Sequence, residues 1–371
     1  MRTRSASTVR TGPVARGSRV LVASAVVLLM AACGSSDTEG GGGGSGGETG
    51  AAAEDLQIAF IGADGSQNFA IEMMEGAEAA GEEFGVDVQV IAPTKLDGPA
   101  QVKMLEDAIR TATDGIAVET LTPDLLTRAE ARAVDAGIPV IAVDTPPLPG
   151  SGITTYIGND NVAAGEMLAQ GAIERLNAAG TTTGKVVVAS PIPGIPTLDL
   201  RAQGMAKAFQ ENLPGFEVVG PVASAPDPTG NYSAWNNLVS ANADATVFMD
   251  AGDAALASLA RINREKGGNL LTGAFDLNKA GLEEVAAGTN FATADPQHFL
   301  KGYLATRMLI ENALGEKDLF EGWWVSSAEL VTQDNVDEIV ARQESSDAKL
   351  AWYKDKIDEQ MANPPLKPLE G

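Results

Sequence analysis

The 371-residue chain carries 26 Lys and Arg against 50 Asp and Glu, and 26 − 50 gives a formal charge of −24. So acidic a chain repels phosphate backbones and is excluded as a nucleic-acid binder, while a 44% hydrophobic fraction is ample for packed cores. One Cys and one His rule out a disulfide framework, a Cys/His zinc cluster and a Cys-His catalytic pair.

Residues 1–32 read as a secretory signal. Arg2, Arg4, Arg10, Arg16 and Arg19, with no acid among them, precede the run VLVASAVVLLM at 20–30. That run is too short for a membrane span of roughly 20 residues, and the small pair Ala31-Ala32 before Cys33 supplies a cleavage site. The string LMAAC resembles the bacterial lipoprotein signal, which implies that Cys33 is lipidated and becomes the first mature residue, anchoring the protein to the membrane. Removing five arginines leaves 21 − 50 = −29. Residues 33–53 follow as a tether: nine glycines in the twenty residues 34–53 cannot bury apolar surface, and a coil of that length reaches roughly 25 Å.

Beyond the tether the pattern alternates. LQIAFIGA, from Leu56, predicts a strand, and Phe69, Met73, Ala77, Ala80 and Phe84 then recur at the spacing of a helix face. Further strands are predicted at 86–92, 115–119, 139–144, 154–159, 185–190, 216–220, 245–250, 270–276 and 290–295. Helix-patterned stretches centre near Leu105, Ala129, Met167, Ala206, Leu238, Ala257, Leu282 and Ala305. Strands separated by helices specify an α/β fold with parallel sheets covered on both faces. A body of 318 residues exceeds one core, so two such domains are expected.

Polar residues gather where strands end. Gln67 and Asn68 follow the first strand, Glu119 the third, Asp144 the fourth, Asp250 and Asp253 the strand ATVFMD, Asp276 LLTGAFD, and Asp295 NFATAD. Each alone is equally a helix cap. Together they point to a crevice outside the carboxyl ends of the strands.

The segment IAFIGADGSQNFAIEMMEGAEAAGEEFGVDV, the string AGIPVIAVDT with IGNDNVAAG, the pair Arg201 and Gly204 in LRAQGMAKAF, and AFDLNKAGLEEVAAG resemble the ribose-type periplasmic binding proteins of bacterial ABC sugar transporters. The resemblance spans about 55–343. It implies two Rossmann-like lobes joined by three crossings: 54–157 with 296–323, and 158–295 with 324–345. It also implies ligand contacts from Ala63, Gln67, Phe69, Ala70, Asp144, Thr145, Arg201, Ala251, Asp276 and the stretch Asp295 to Gln297. Carboxylates at Asp144 and Asp276 accept bonds from vicinal hydroxyls, Arg201 donates a fork, and Phe69 stacks on a sugar face. Phe69 also begins the apolar stripe of its helix, where it would be plain core, and Arg201 also suits a surface or interlobe ion pair.

Thr145, Ala251 and Ala70 stand where ribose-binding relatives carry Arg, Asn and a second Phe. With Glu119, Asp144, Asp250 and Asp276 retained, the expected cleft is roomier and more acidic than one for ribose, suited to a larger sugar, a polyol or a ligand with a cationic group. No metal or cofactor is expected: Ala280 and Ala287 spoil the calcium-loop pattern that starts at Asp276, and the segment from Gly180 is too short for a phosphate loop. His298 is expected to be structural or solvent-facing. Residues 346–371 read as an amphipathic helix, with Trp352 and Ile357 inward, and a tail. The leading function is a monomeric solute receptor, delivering a neutral carbohydrate or polyol to an ABC permease. The alternatives are a sensory or autoinducer-type binding protein and a carboxylate-dependent extracellular glycosidase.

Overall fold

A computed structural model describes residues 52–369, so Cys33, the signal and nearly all of the tether lie outside the described residues. The first lobe opens with β1 (Ile58–Ile61), α1 (Asn68–Phe84), β2 (Gln89–Ile91), α2 (Gly98–Ala108), β3 (Gly115–Glu119), α3 (Pro123–Asp135), β4 (Val140–Val143) and β5 (Thr155–Asn159). Strands β1, β3, β4 and β5 are buried at every position, as expected of continuous apolar runs covered on both faces. Phe60 and Ile141 pack on one side, with Met73 of α1, and Ile61 and Ile116 on the other, with Leu105 of α2 and Leu126 of α3.

The second lobe contains α4 (Asn161–Ala178), β6 (Gly184–Ser190), α5 (Pro196–Asn212), β7 (Phe216–Ala223), α6 (Pro228–Ala241), β8 (Val247–Asp250), α7 (Ala254–Glu265), β9 (Leu271–Phe275), α8 (Lys279–Ala286) and β10 (Ala292–Asp295). Asp160, Asp227 and Asn278 cap α4, α6 and α8 through their side chains. Helices α4 and α5 touch backbone to backbone at Gly165 and Gly204: a Cβ on Gly204 would collide with the Val162 carbonyl, and one on Gly165 with the carbonyl of Arg201. That close approach seats the first turns of α5, which carry Arg201.

The chain then returns through α9 (His298–Ala313) to β11 (Gly322–Ser326) of the first sheet, crosses to β12 (Glu329–Val331) and α10 (Val336–Arg342), and ends with α11 (Ser346–Ala362) and β13 (Leu366–Lys367). The sheets run β13-β11-β5-β4-β3-β1-β2 and β12-β10-β9-β8-β6-β7, parallel except for the edge strands β13 and β12. Both lobes repeat one doubly wound order, β2-β1-β3-β4-β5 and β7-β6-β8-β9-β10. Its switch points, where strand order reverses, lie between β1 and β3 and between β6 and β8.

Four features differ from the sequence reading. β11, β12 and β13 were not expected, and the third crossing falls between Ser326 and Glu329 rather than at 323/324. A fourth passage joins α10, packed on α8, to α11, packed on α1 and α9. In α11 the inward face is Lys349, Tyr353 and Ile357, a stripe with steps of four, whereas Trp352 points outward with 41% exposure. Tyr353 stacks on Phe299 with ring centroids 6.1 Å apart.

Asn159 pins the crossings together. Its Nδ2 donates to the carbonyls of Pro296 (3.2 Å) and Ser326 (3.1 Å), so the first, second and third passages share one amide. Beside it Arg342 pairs with Asp295 at 2.6 Å, and Lys356 of α11 donates to Gln297 Oε1 at 2.6 Å and Ser327 Oγ at 2.7 Å.

Candidate functional site

A cavity of about 410 Å³ lies between the lobes, against the carboxyl ends of both sheets. Its walls include the segments after β1 and β3 in one lobe and after β6 and β8 in the other, which flank the two switch points, together with segments after β2 and β7, and its size is that of a small-molecule site.

The polar floor is a chain of charged side chains arranged around one imidazole. Asp144, directly after β4, receives the ammonium of Lys301, which also donates to Asn159 Oδ1 at 2.8 Å. Asp276, directly after β9, receives Arg201 Nη1 at 3.2 Å. Arg201 is fixed further by its Nε bond to Asn161 Oδ1 (3.2 Å), its bond to the Ala251 carbonyl (3.2 Å), and its position 4.6 Å over the Phe275 ring. His298 stands between the two aspartates: Nε2 is 3.0 Å from Asp276 Oδ1, and Nδ1 is 3.9 Å from Asp144 Oδ1 without a bond. A carboxylate only accepts, so the Nε2 of His298 carries the proton.

Burial works against each of these charges. It raises the Asp276 carboxyl, but Arg201 and His298 outweigh it and the pKa falls below the usual carboxylate value. For Asp144 burial is likewise overcome, chiefly by Lys301, and the group stays ionised. Burial and the Lys301 cation push His298 down, so its imidazole is neutral at pH 7. Two carboxylates therefore face two cations around an uncharged ring. Asp253, also on the wall, is raised to about 6 by burial and by Asp276.

Of the residues singled out in the sequence, Gln67, Phe69, Asp144, Arg201, Asp253 and Asp276 line this cavity. Phe69 lies 5.8 Å from the His298 ring. The others sit behind the wall or in the hinge. Glu119 is fully buried and accepts from the Ala63 amide; burial raises its carboxyl to about 8. Asp250 accepts from Trp235 Nε1 at 2.7 Å and from the Gly252 amide at 3.1 Å, shaping the 251–253 turn. Thr145 and Ala70 are buried, and Ala251 contributes its carbonyl to Arg201. Asp295 and Gln297 belong to the hinge, held by Arg342 and Lys356.

Sequence reasoning passed over Lys301 and gave His298 a structural or solvent-facing place. The structure puts His298 at 2% exposure, inside the floor. The available signal was their spacing: residues three apart share a helix face, and α9 is buried along nearly its whole length.

A family model described as a periplasmic binding protein domain matches residues 58–317. The ribose import binding protein of Bacillus subtilis is 26% identical over 67% of this chain and 79% of its own length. Among solved structures, an ABC transporter solute-binding protein from Burkholderia graminis in complex with D-arabinose matches with TM-score 0.70 and 26% identity, over 76% of this chain and 97% of that one. A solute-binding protein from Agrobacterium vitis, bound with α-D-tagatopyranose, matches with TM-score 0.68 and 25% identity, over 78% and 98%.

Proposed function

Because the chain belongs to the periplasmic binding protein domain family, a family of binding proteins rather than enzymes, we propose that it is an extracytoplasmic receptor that clamps a carbohydrate or polyol between its lobes and delivers it to an ABC importer. The observation that carries this reading is the floor in which Lys301 balances Asp144 and Arg201 balances Asp276 around the neutral ring of His298. Its acceptors and donors suit the hydroxyls of a neutral ligand, and a net charge on the ligand would leave one buried partner uncompensated. Phe69 offers a ring face beside them. Asp144 belongs to one lobe, Arg201 and Asp276 to the other, so a ligand touching all three favours the closed arrangement. The lipobox at Cys33 supports attachment to the membrane through the tether, with the receptor acting as a monomer. A thermal-shift screen of pentoses, hexoses and polyols, with and without chelator, tests the reading. Stabilisation by at least one of them, unchanged by chelator, is expected, and no response across the panel would count against it.

A further inference from the structure

Part of the cavity wall has another chemistry. Leu96 and Leu121 from the first lobe pack with Ile192, Ile195 and Leu198 from the second, and Phe69 joins this cluster to the floor. Leu96, Leu121, Ile192 and Leu198 all border the cavity, as do Pro191 and Pro226. The apolar wall is held in place: Asp64, 3% exposed, spends its carboxylate on the Leu96 amide (2.6 Å), the Ser66 amide (2.8 Å) and the Ser66 hydroxyl (2.7 Å). A polar group that faces this side is thus consumed in positioning an aliphatic one. Ligand hydroxyls placed against these side chains would lose water and find no acceptor, which is unfavourable, whereas an alkyl or aryl group there would be buried at a gain.

We infer that the ligand is a sugar bearing an apolar substituent, a glycoside with an alkyl or aryl aglycone, whose hydroxylated ring meets Asp144, Arg201 and Asp276 while the substituent fills the aliphatic side. This rests on the carbohydrate reading above and narrows it. The same apolar chemistry on a deoxy sugar is a smaller version, and the two are separable by experiment.

The test is calorimetric titration of the mature protein with matched pairs: free pentoses and hexoses against their methyl, butyl and phenyl glycosides, and rhamnose and fucose against mannose and galactose. Each added methylene is expected to tighten binding roughly fourfold, and a phenyl glycoside to bind at least tenfold tighter than its free sugar. Leu96→Asn and Ile192→Asn, checked for an unaltered unfolding midpoint without ligand, should each cut that ratio at least threefold. A gain confined to the deoxy sugars would overturn the glycoside assignment. A free sugar binding tighter than all its glycosides would overturn the inference while leaving the carbohydrate reading intact. Binding of no sugar in any form would overturn both.

Discussion

Asp144 and Asp276 occupy equivalent positions in the two lobes. Each follows the fourth strand of its doubly wound unit, each adopts a left-handed backbone (φ 67° and 65°), and each donates its amide to the adjacent strand at 2.8 Å, to Ile157 and Ala294 respectively. Non-glycine residues take this conformation at a cost, least for Asp and Asn. Here it turns both carboxylates toward one imidazole, that of His298, one from each lobe.

Replacing Asp144, Arg201 or Asp276 singly by Ala should weaken sugar binding by one to two powers of ten. Leaving a buried hydroxyl or charged partner unsatisfied costs about 1 to 3 kcal/mol, and calorimetry reads the loss directly. Unchanged affinity in two of the three would remove the site assignment.

Lys301 is fully buried and bonds Asp144 to the hinge residue Asn159. Lys301→Met should destabilise the protein by about 3 to 5 kcal/mol, because a buried carboxylate loses its counterion. Chemical denaturation measures this. A change below about 1 kcal/mol would show that Asp144 is held by other groups.

Glu119 gives a pH dependence of definite sign. Its carboxyl is raised to about 8 from 4.5 by burial, opposed in part by the Ala63 amide. Between those values the folded state keeps a proton that the unfolded state has released, so this group's contribution falls as pH rises from about 4.5 to about 8. The limiting slope is about 1.4 kcal/mol per pH unit. Glu119→Gln, which keeps an acceptor for Ala63, should gain stability relative to the parent on going from pH 5 to pH 8. A constant difference in melting temperature would contradict the assigned protonation.

Cys33→Ala should release the protein from the membrane fraction or leave its precursor uncleaved, since a chain with 50 acidic against 26 basic residues gains little electrostatic hold on an anionic membrane once the anchor is lost. Fractionation with an immunoblot decides it, and normal retention and processing would exclude lipidation.

The strand-helix rhythm was legible because most strands of a parallel sheet are short buried apolar runs bounded by turns. β11 escaped because GWWVS runs on into SAELV without a clear break, and its pairing with β5 is fixed only after α9 returns the chain. Strand-end polarity located Asp144 and Asp276. It also nominated Asp250 and Asp295, which sit at strand ends for other reasons: one holds Trp235, the other Arg342. Lys301 was hidden because its partners Asp144 and Asn159 lie more than 100 residues away, His298 because it sits between carboxylates of two different lobes, and Ile192 and Leu198 because an aliphatic cavity wall has the composition of a core.

The most direct test of a ligand clamped between the two aspartates is a calorimetric titration. The sugar or glycoside giving the largest thermal shift is titrated into the parent protein and into the double variant Asp144→Ala/Asp276→Ala, both verified as folded. The account predicts one ligand per chain in the parent and an affinity at least a hundredfold weaker in the double variant. Equal affinities would place the ligand elsewhere.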